Sequence, residues 1–415
     1  MTRRLSLCYA APGQRLLTTA GPTRNVLSVA EALGDTVDVT LAFRSLGEPL
    51  DSPRFRLLSI EDAPTPIASR DDVTVRGLNP LTHAKYLHTL RHFARRAARE
   101  YDIVFEKGWR FSGYLAHQVA LCGGLSALIE NDVRYWNEPV RNLQALARFL
   151  AQRAAQSIAA RCSRGVPLVI AETEELKEAL VALRGISPER IEVVELGVDH
   201  RMFRPMPQEI ARNELGIRQD VLMLLYVGGL DLYHDLGQVI EGLARTQPID
   251  GIELHVVGDG HLRAQDEQTA QRLGVAVHFH GQIGHQRVPG FIAAADLCLA
   301  PYQPSRFYDG KITFSTLKIP EYMACERPVA SVPHGHILQL IDHQVTGFLV
   351  NNDADAWTAL FRSMPPRQRL AEMGRRAAQR VASLSWNATA ARYLELGYRL
   401  QARTTSSSLV PSLRD

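Results

Sequence analysis

The chain has 415 residues, a length that exceeds one compact domain and suits two domains of roughly 200 residues, each with its own core. Hydrophobic residues make up 46% of the chain and charged residues 22%, ordinary globular values that exclude a largely disordered protein. The net charge of +3 is small, so the composition predicts neither a nucleic-acid partner nor binding to an anionic membrane.

The cysteines and the apolar runs of the sequence indicate the cellular compartment of the protein. The five cysteines are widely separated and form no C-x-x-C pair for zinc, which favours buried thiols in a reducing environment. No segment approaches about 18 apolar residues, and the apolar run near residue 5 is too short for a secretion signal. We expect a cytoplasmic protein. The basic amphipathic helix predicted at 85–101 is interpreted as a solvated face, with a membrane-surface role as the alternative.

The first 200 residues alternate between strand-like and helix-like segments, which is typical of a parallel sheet. Residues 4–10 and 37–42 have the pattern of buried strands, and residues 24–33 that of a helix between them. Gly21, at the entrance of this helix, leaves room for a ligand to approach the backbone, although a plain turn glycine fits the local sequence equally well.

The loop at 130–138 (ENDVRYWNE) follows a predicted strand at 127–130 and combines acidic with aromatic residues. Loops after the carboxyl ends of parallel strands line the ligand crevice of a doubly wound domain. Glu130 and Asp132 would there suit a cationic or amino-bearing acceptor. A surface loop of mixed charge is the alternative.

The second half opens with a strand-like run at 221–227 that leads directly into Gly228 and Gly229. Paired glycines at a strand end let a diphosphate approach backbone amides, but two glycines alone are a weak signal. The later run Gly258-Asp259-Gly260 lacks the third glycine of the dinucleotide fingerprint, which argues against a dehydrogenase.

Residues 307–332 (FYDGKITFSTLKIPEYMACERPVASV) contain the side chains that are best suited to form a ligand-binding site. They predict a turn, an N-cap at Ser315, a short helix with Lys318 and Glu321, and a strand; Pro320 places the helix start near Lys318. Three residues apart, Lys318 and Glu321 share a helix face, where the lysine suits a phosphate and the carboxylate suits two ribose hydroxyls. An ordinary amphipathic helix with a solvated charge pair is the alternative.

The run from Ser315 to Val329 (STLKIPEYMACERPV) resembles the nucleotide-site motif of the retaining glycosyltransferases of family 4, roughly S-P-L-K-hydrophobic-x-E-Y-M-A-x-G-x-P-V. Two positions depart from it: Glu326 replaces the usual glycine, and Thr313 stands where many members carry a glutamate. The resemblance implies a GT-B fold, in which two doubly wound Rossmann-like α/β domains face each other across a cleft.

The resemblance also implies how the chain is divided. Residues 191–203 (IEVVELGVDHRMF) are similar to the signature between the two domains of the family. We predict an acceptor-binding domain at 1–203, joined by a returning helix at 386–403, a nucleotide-sugar-binding domain at 204–385, and a disordered tail at 404–415.

Site residues follow from the same resemblance. Gly229 and His234 occupy positions where the family often has arginine and lysine, so Lys318 and Lys311 would supply the charge and His234 would donate a hydrogen bond near phosphate. The turn of Gly281, Gln282 and Ile283 would hold the nucleobase. The predicted set is, for catalysis, Lys318 and Glu321; for the donor, Gly228, Gly229, His234, Gly281, Gln282, Ile283, Lys311, Thr313, Ser315, Thr316 and Leu317; for the acceptor, Gly21, Glu130 and Asp132.

The implied reaction moves a sugar from UDP to an acceptor hydroxyl with retention, and it needs no metal or other cofactor. The acceptor suggested by the motif and the acidic loop is an aminocyclitol of antibiotic biosynthesis. The alternatives are a transferase for cell-surface polysaccharide or a lipid-linked sugar, a non-catalytic nucleotide-sugar binding protein, and a nucleotide-sugar epimerase.

Overall fold

A computed structural model describes residues 4–17, 21–47, 50–61, 80–133, 142–246 and 251–408. The chain forms two compact units. Unit 1 consists of Met1–Leu196 and Trp386–Asp415, and unit 2 of Gly197–Ser385.

Unit 1 is built on a parallel sheet of seven strands in the order β3-β2-β1-β4-β5-β6-β7. Its strands are near-continuous apolar runs because helices cover both faces of the sheet. The strands are β1 (Ser6–Leu16), β2 (Asp38–Leu46), β3 (Phe55–Ser59), β4 (Ile103–Lys107), β5 (Ser126–Glu130), β6 (Leu168–Ala171) and β7 (Ile191–Val193).

The helices of unit 1 come from both ends of the chain. They are α1 (Gly21–Gly34), α2 (Pro80–Glu100), α3 (Tyr114–Leu121), α4 (Leu143–Arg164), α5 (Glu174–Arg184) and α14 (Trp386–Ser408). The C-terminal helix α14 packs in the core of this unit, where Tyr393 meets Phe105 of β4 edge to face with ring centroids 5.9 Å apart.

Unit 2 contains a second parallel sheet, of six strands in the order β10-β9-β8-β11-β12-β13. Alternate residues of its strands enter different cores: Met223 and Leu225 lie in one apolar cluster, Leu224 and Tyr226 in another. The strands are β8 (Leu222–Val227), β9 (Ile252–Val257), β10 (Val277–Gly281), β11 (Leu297–Ala300), β12 (Val329–Ser331) and β13 (Gly347–Leu349).

Eight helices cover the two faces of this sheet in the described part of unit 2. They are α6 (Gln208–Leu215), α7 (Leu236–Thr246), α8 (Arg263–Leu273), α9 (Val288–Ala294), α10 (Lys318–Ala324), α11 (Ile337–Leu340), α12 (Ala354–Arg362) and α13 (Arg367–Val381). The prediction of two doubly wound α/β domains is therefore confirmed.

Strand order reverses once in each sheet, between β1 and β4 in unit 1 and between β8 and β11 in unit 2. At such a reversal the connecting helices leave on opposite faces and a crevice opens beyond the carboxyl ends of the strands. In unit 2 this crevice lies next to the residues that follow β8 and β11.

The predicted domain boundary after residue 203 is wrong by a few residues, because Phe203 packs in the core of unit 2 and the units divide between Leu196 and Gly197. The predicted tail also starts too early, since α14 continues past Arg403 to Ser408. Residues 409–415 lie outside the described residues.

The two ends of unit 2 lie side by side. Val198 forms a parallel bridge with Ser385, and its N–H donates to the carbonyl oxygen of Leu384 at 3.3 Å. A further hydrogen bond of 2.8 Å joins Nε2 of His200 to the same carbonyl.

Two further expectations concern cysteines and membranes. Cys8, Cys162, Cys298 and Cys325 are buried free thiols, as expected, whereas Cys122 is exposed. Among the helices of the described ranges, none combines the length and the apolar character needed to cross a bilayer.

Candidate functional site

Three turns follow β8, β9 and β10 and lie directly against one another. The N–H of Gly228 donates to the carbonyl of Val257 at 2.9 Å, and the N–H of Gly258 donates to that of Gly281 at 2.8 Å. A Cβ on Gly258, whose φ is +132°, would lie 1.9 Å from the oxygen of Gly228. Because no side chain fits here, the backbone itself forms this surface.

Lys318, the first residue of α10, points at the turn after β8. A Cβ on Gly228 would lie 2.6 Å from its Nζ. The Nζ stands over two aromatic rings, 4.6 Å from the centroid of Tyr226 and 5.3 Å from that of Tyr302. This atom is buried and has no hydrogen-bond partner among the described residues.

The charge of Lys318 is sensitive to its surroundings. Burial lowers the pKa of its amine to about 7, although the nearby carboxylates of Asp231 and Glu321 act in the opposite direction. An ammonium that has lost its water and has found no partner is costly to bury. An anion bound at Gly228 would supply the missing partner, so the arrangement suits a phosphate group.

His234 lies beside Lys318 and is held by Asp231. Its Nδ1 is 2.8 Å from Oδ1 of Asp231. Burial works against ionisation of Asp231, but the hydrogen bond from His234 and the nearby charges keep the pKa of its carboxyl below the ordinary value. Burial and then Lys318 lower the pKa of His234 to about 4, so the imidazole is neutral at pH 7.

This hydrogen bond decides what His234 can offer a ligand. A carboxylate only accepts, so the neutral ring carries its hydrogen on Nδ1 and presents a lone pair at Nε2. The predicted role as a donor to phosphate therefore requires that His234 take up a proton when the anion binds.

The start of α10 differs from the sequence prediction in its cap. Helix α10 begins at Lys318, as predicted, but Leu317 occupies the cap position and makes no side-chain cap hydrogen bond, so the predicted cap at Ser315 is wrong. Thr316 instead bonds the hydroxyl of Tyr302 through Oγ1 at 2.5 Å. Pro320 is third in the helix, where its missing N–H costs no hydrogen bond.

The backbone at the end of α10 accounts for the glycine that the resembled motif has at position 326. Glu326 has a φ of +57°, the left-handed conformation that often follows a helix and that glycine adopts without strain. Helices α5, α6 and α8 end in glycines with the same conformation, namely Gly185, Gly216 and Gly274. Glu326 therefore carries a strained backbone where the motif has glycine.

The other predicted donor residues lie at different depths. Glu321 is half-buried one turn after Lys318. Thr313 and Ser315 are buried in the loop before α10, whereas Lys311 is exposed in the same loop. After β10, Gln282 is exposed and Ile283 packs against the core. Their contacts with a nucleotide remain predictions.

On the acceptor side, Glu130 is not an open ligand. It is buried at the end of β5 and forms an ion pair with Nη1 of Arg184. A buried carboxylate is stable when a cation pairs with it, so this contact corrects the expectation that Glu130 faces an amino-bearing acceptor. Residues 134–138 of the same acidic loop lie outside the described residues, and so do residues 18–20 before Gly21, the first residue of α1.

A cavity of about 450 Å³ opens at the carboxyl ends of β4 and β5 in unit 1. Asp132 lines it, as do three arginines, Arg110, Arg153 and Arg184. Because Arg184 is already paired with Glu130, Arg110 and Arg153 are the bases that stand against Asp132, and this described lining is suited to an anionic rather than a cationic ligand.

Sequence reasoning missed three residues that surround the amine and the imidazole: Tyr226, Asp231 and Tyr302. Tyr226 lies two residues before Gly228, and its hydroxyl donates to the carbonyl of Gly229 at 2.6 Å. The only signal for it in the sequence was its place at a strand end. Tyr302 and Lys318 are separated in the chain by a loop, so no local pattern could join them.

The segment that holds this site is similar to known proteins. Residues 222–364 match the family model described as glycosyl transferases group 1. The matched segment lies wholly within unit 2. The matched segment holds every predicted donor residue, Lys318 and Glu321 included, and about a third of the chain.

Curated relatives carry glycosyltransferase names. The chain is 30% identical over 237 residues to a D-inositol 3-phosphate glycosyltransferase 2 of Catenulispora acidiphila, covering 54% of each chain. It is 27% identical over 328 residues to a D-inositol 3-phosphate glycosyltransferase of Segniliparus rotundus, covering 74% of this chain and 65% of the relative. The chain thus spans about half to two thirds of the length of these curated relatives.

Solved structures agree in fold. Sucrose-phosphate synthase from Thermosynechococcus elongatus superposes with a TM-score of 0.72 at 22% identity, over 96% of this chain and all of that one. The Anabaena protein HepE, in a structure with UDP, gives 0.68 at 18% identity over 94% and 98% of the two chains. These likenesses confirm the GT-B fold class.

Proposed function

We propose that this protein is a retaining glycosyltransferase that moves a sugar from a UDP-sugar to an acceptor hydroxyl. The observation that carries the proposal is the buried amine of Lys318, which lacks a partner among the described residues and lies against Gly228 inside the matched domain. Such an amine is placed for the diphosphate that leaves the sugar.

Each residue has a defined task in this scheme. The bond between the anomeric carbon and the diphosphate oxygen breaks, and Lys318 stabilises the charge that develops on the leaving group. The acceptor oxygen attacks on the same face and passes its proton to the leaving phosphate oxygen, so no protein base is needed. Glu321 accepts from the two ribose hydroxyls and orients the nucleotide. The reaction requires no metal.

Uracil is the proposed base because solved structures of the same fold, those of HepE, contain UDP or UDP-glucose. The turn of Gly281, Gln282 and Ile283 is the proposed base site. Its backbone lies beside the Gly258 turn, which in turn touches Gly228, so base and diphosphate would bind to consecutive turns.

Two acceptor classes follow from different observations, and both are cyclitols. The acidic loop at 130–138 suggested an aminocyclitol, but Glu130 is paired with Arg184. The relatives named for D-inositol 3-phosphate, together with Arg110 and Arg153 in the lining of the cavity in unit 1, favour a phosphorylated cyclitol. We propose the phosphorylated cyclitol as the acceptor and keep the aminocyclitol as the second candidate.

The donor half of the proposal is tested by thermal unfolding with UDP, GDP and dTDP. UDP at about 100 times its dissociation constant should raise the melting temperature of the unit that binds it by roughly 5–10 °C, and Glu321→Ala should remove most of that shift. Glu209→Ala, an exposed glutamate on α6, is the matched control and should behave as the native chain. Absence of any shift with all three nucleotides would overturn the site.

The transfer half is tested by release of UDP from UDP-sugars with and without inositol phosphate or a diamino cyclitol. Acceptor-dependent release is expected with the phosphorylated cyclitol, and Arg153→Gln should raise its KM about tenfold by removing one phosphate contact. Nucleotide binding without any acceptor-dependent release would favour the non-catalytic alternative. Conversion of the donor without an acceptor would favour the epimerase, and a requirement for membranes would favour the lipid-linked acceptor.

A further inference from the structure

A cluster of histidines and one glutamate lies on the edge of the sheet of unit 2, apart from the residues that surround Lys318. Glu253 and His255 alternate along β9, and His278 and His280 alternate along the edge strand β10. His278 is the register partner of His255 in this parallel pair. Since residues two apart share a face of a strand, Glu253, His255 and His278 project from the same face of the sheet. His280 lies where the register of the pair shifts, and its contact with His255 places its ring beside the other three.

The distances within this cluster are those of a metal site. One carboxylate oxygen, Oε2 of Glu253, is 3.4 Å from Nε2 of His255 and 3.4 Å from Nε2 of His278. The three ligand atoms all lie within 4.8 Å of one another. A tetrahedral zinc ion with bonds of about 2.0–2.2 Å separates its ligands by about 3.3–3.6 Å, so the two measured distances already match its edges.

The fourth residue, His280, orients the central ligand. Its Nε2 is 3.0 Å from Nδ1 of His255, and the two rings stack with centroids 5.2 Å apart. If Nδ1 of His255 donates to His280, the Nε2 lone pair of His255 faces Glu253 and His278. Metal-bound histidines are typically held in this way by a partner on the other ring nitrogen.

The chemistry of the cluster suits a cation. Glu253 contributes a negative charge, and the two histidines offer ring nitrogens, which are common ligands of transition metals. The nearby cation Arg212 is neutralised by Asp296, to which its Nη2 donates at 2.7 Å.

We infer that Glu253, His255 and His278 bind a divalent transition metal of the zinc class, with His280 positioning His255. Two nitrogens and one oxygen suit Zn²⁺ and disfavour Mg²⁺, which prefers an octahedron of oxygens. Three protein ligands leave one position for water. The bound ion would fasten the edge strand β10 to β9, just before the turn that starts at Gly281.

No metal was predicted from the sequence, which has no C-x-x-C pair. The relevant pattern is Glu-x-His on one strand and His-x-His on the next, and only the pairing of β9 with β10 brings the two together. The proposed ion takes no part in the transfer reaction.

The test uses the tag-free full chain, stripped with chelator and titrated with Zn²⁺, Co²⁺ and Mg²⁺ by calorimetry. A second histidine pair must be removed first, because His88 and His92 on α2 have their Nε2 atoms 3.0 Å apart and could also take up Zn²⁺. In a His92→Gln background we expect one bound Zn²⁺, no binding of Mg²⁺, and the intense visible absorption of tetrahedral Co²⁺.

Variants of the cluster should weaken binding in a graded way. His280→Ala should cost about 10–100-fold in affinity, the usual effect of removing a partner of a ligand, and His278→Gln should cost more. His278 is about half exposed, so its replacement leaves the fold intact, which melting of the metal-free chain checks. His261→Gln, at an exposed histidine outside the cluster, is the control and should change nothing.

The outcomes separate cleanly. Loss of the bound Zn²⁺ in both Glu253→Gln and His278→Gln, with UDP binding retained, supports the site. Equal zinc affinity in the parent and in both variants would overturn it, and so would zinc binding that disappears with His92→Gln alone.

Discussion

Each unit buries a lysine near the carboxyl ends of its strands, and the two lysines differ in what surrounds them. Lys107, the last residue of β4, donates to Oε1 of Glu172 at 2.8 Å, and both side chains are buried. Although burial alone would lower it, Glu172 raises the pKa of Lys107 above the ordinary value. Lys318 has no such partner among the described residues, and its pKa falls to about 7.

The difference distinguishes a charge that stabilises the fold from a charge that can bind a ligand. A buried ion that already has a partner is electrostatically satisfied, so a substrate adds little further interaction energy. An unpaired one destabilises the free protein and regains that energy when an anion arrives, so it marks a functional site. Burial of a lysine alone does not distinguish these cases, whereas its partner does.

The largest effect is expected when the paired lysine is removed. Lys107→Met leaves the Glu172 carboxylate buried and unpaired, and we expect unfolding in urea to show a loss of about 3–5 kcal/mol. The double variant Lys107→Met/Glu172→Leu should recover most of that loss. If the single variant is as stable as the parent, Lys107 is not the structural charge described above.

Removal of the unpaired lysine should reduce turnover and leave the stability of the fold intact. Lys318→Met should lower turnover about 10²–10³-fold by deleting the charge that faces the leaving group, while the free energy of unfolding stays level or rises. Turnover and urea unfolding are measured on the same preparation, with the exposed Lys85→Met as the control. A large loss of stability with normal turnover would contradict the assignment.

The depressed pKa of Lys318 makes a prediction about pH. A diphosphate binds the protonated amine, so the affinity for UDP should be level just below pH 7 and should fall up to tenfold per pH unit above it. Calorimetry between pH 7.5 and 8.5 checks this, because the terminal phosphate of UDP is fully ionised there and the uracil N3–H is still protonated. The slope should vanish in Lys318→Met; an unchanged slope would point to another group.

The smallest expected effect concerns strain at the far end of α10. Glu326→Gly should stabilise the protein by about 1 kcal/mol, since glycine adopts the observed left-handed conformation freely. Gly274→Ala, at the end of α8, should cost about as much. If Glu326→Gly also changes UDP affinity, the strain belongs to the site and not only to the helix end.

Prediction from sequence succeeded where the relevant signal is local. The alternation of strands and helices predicted both sheets, and the spacing of Lys318 and Glu321 in a short motif picked out the helix that meets Gly228. It failed where a partner is distant in the chain. Glu130 was assigned to an acceptor because Arg184, which pairs with it, lies 54 residues later.

The boundary error has a similar cause. The run at 191–203 resembles a single signature, but β7 belongs to unit 1 whereas Val198 and Phe203 pack in unit 2. The contacts place the division between Leu196 and Gly197, inside this run. A motif that spans the division cannot show its position.

The bridge between Val198 and Ser385 has a consequence for handling the molecule. A segment whose two ends are already hydrogen-bonded neighbours can be excised, or its ends joined and new ones opened at an exposed turn, without stretching the backbone. Residues 197–385 therefore form a natural fragment for isotope labelling. In that fragment nucleotide recognition could be followed residue by residue, uncoupled from whatever the remainder of the chain binds.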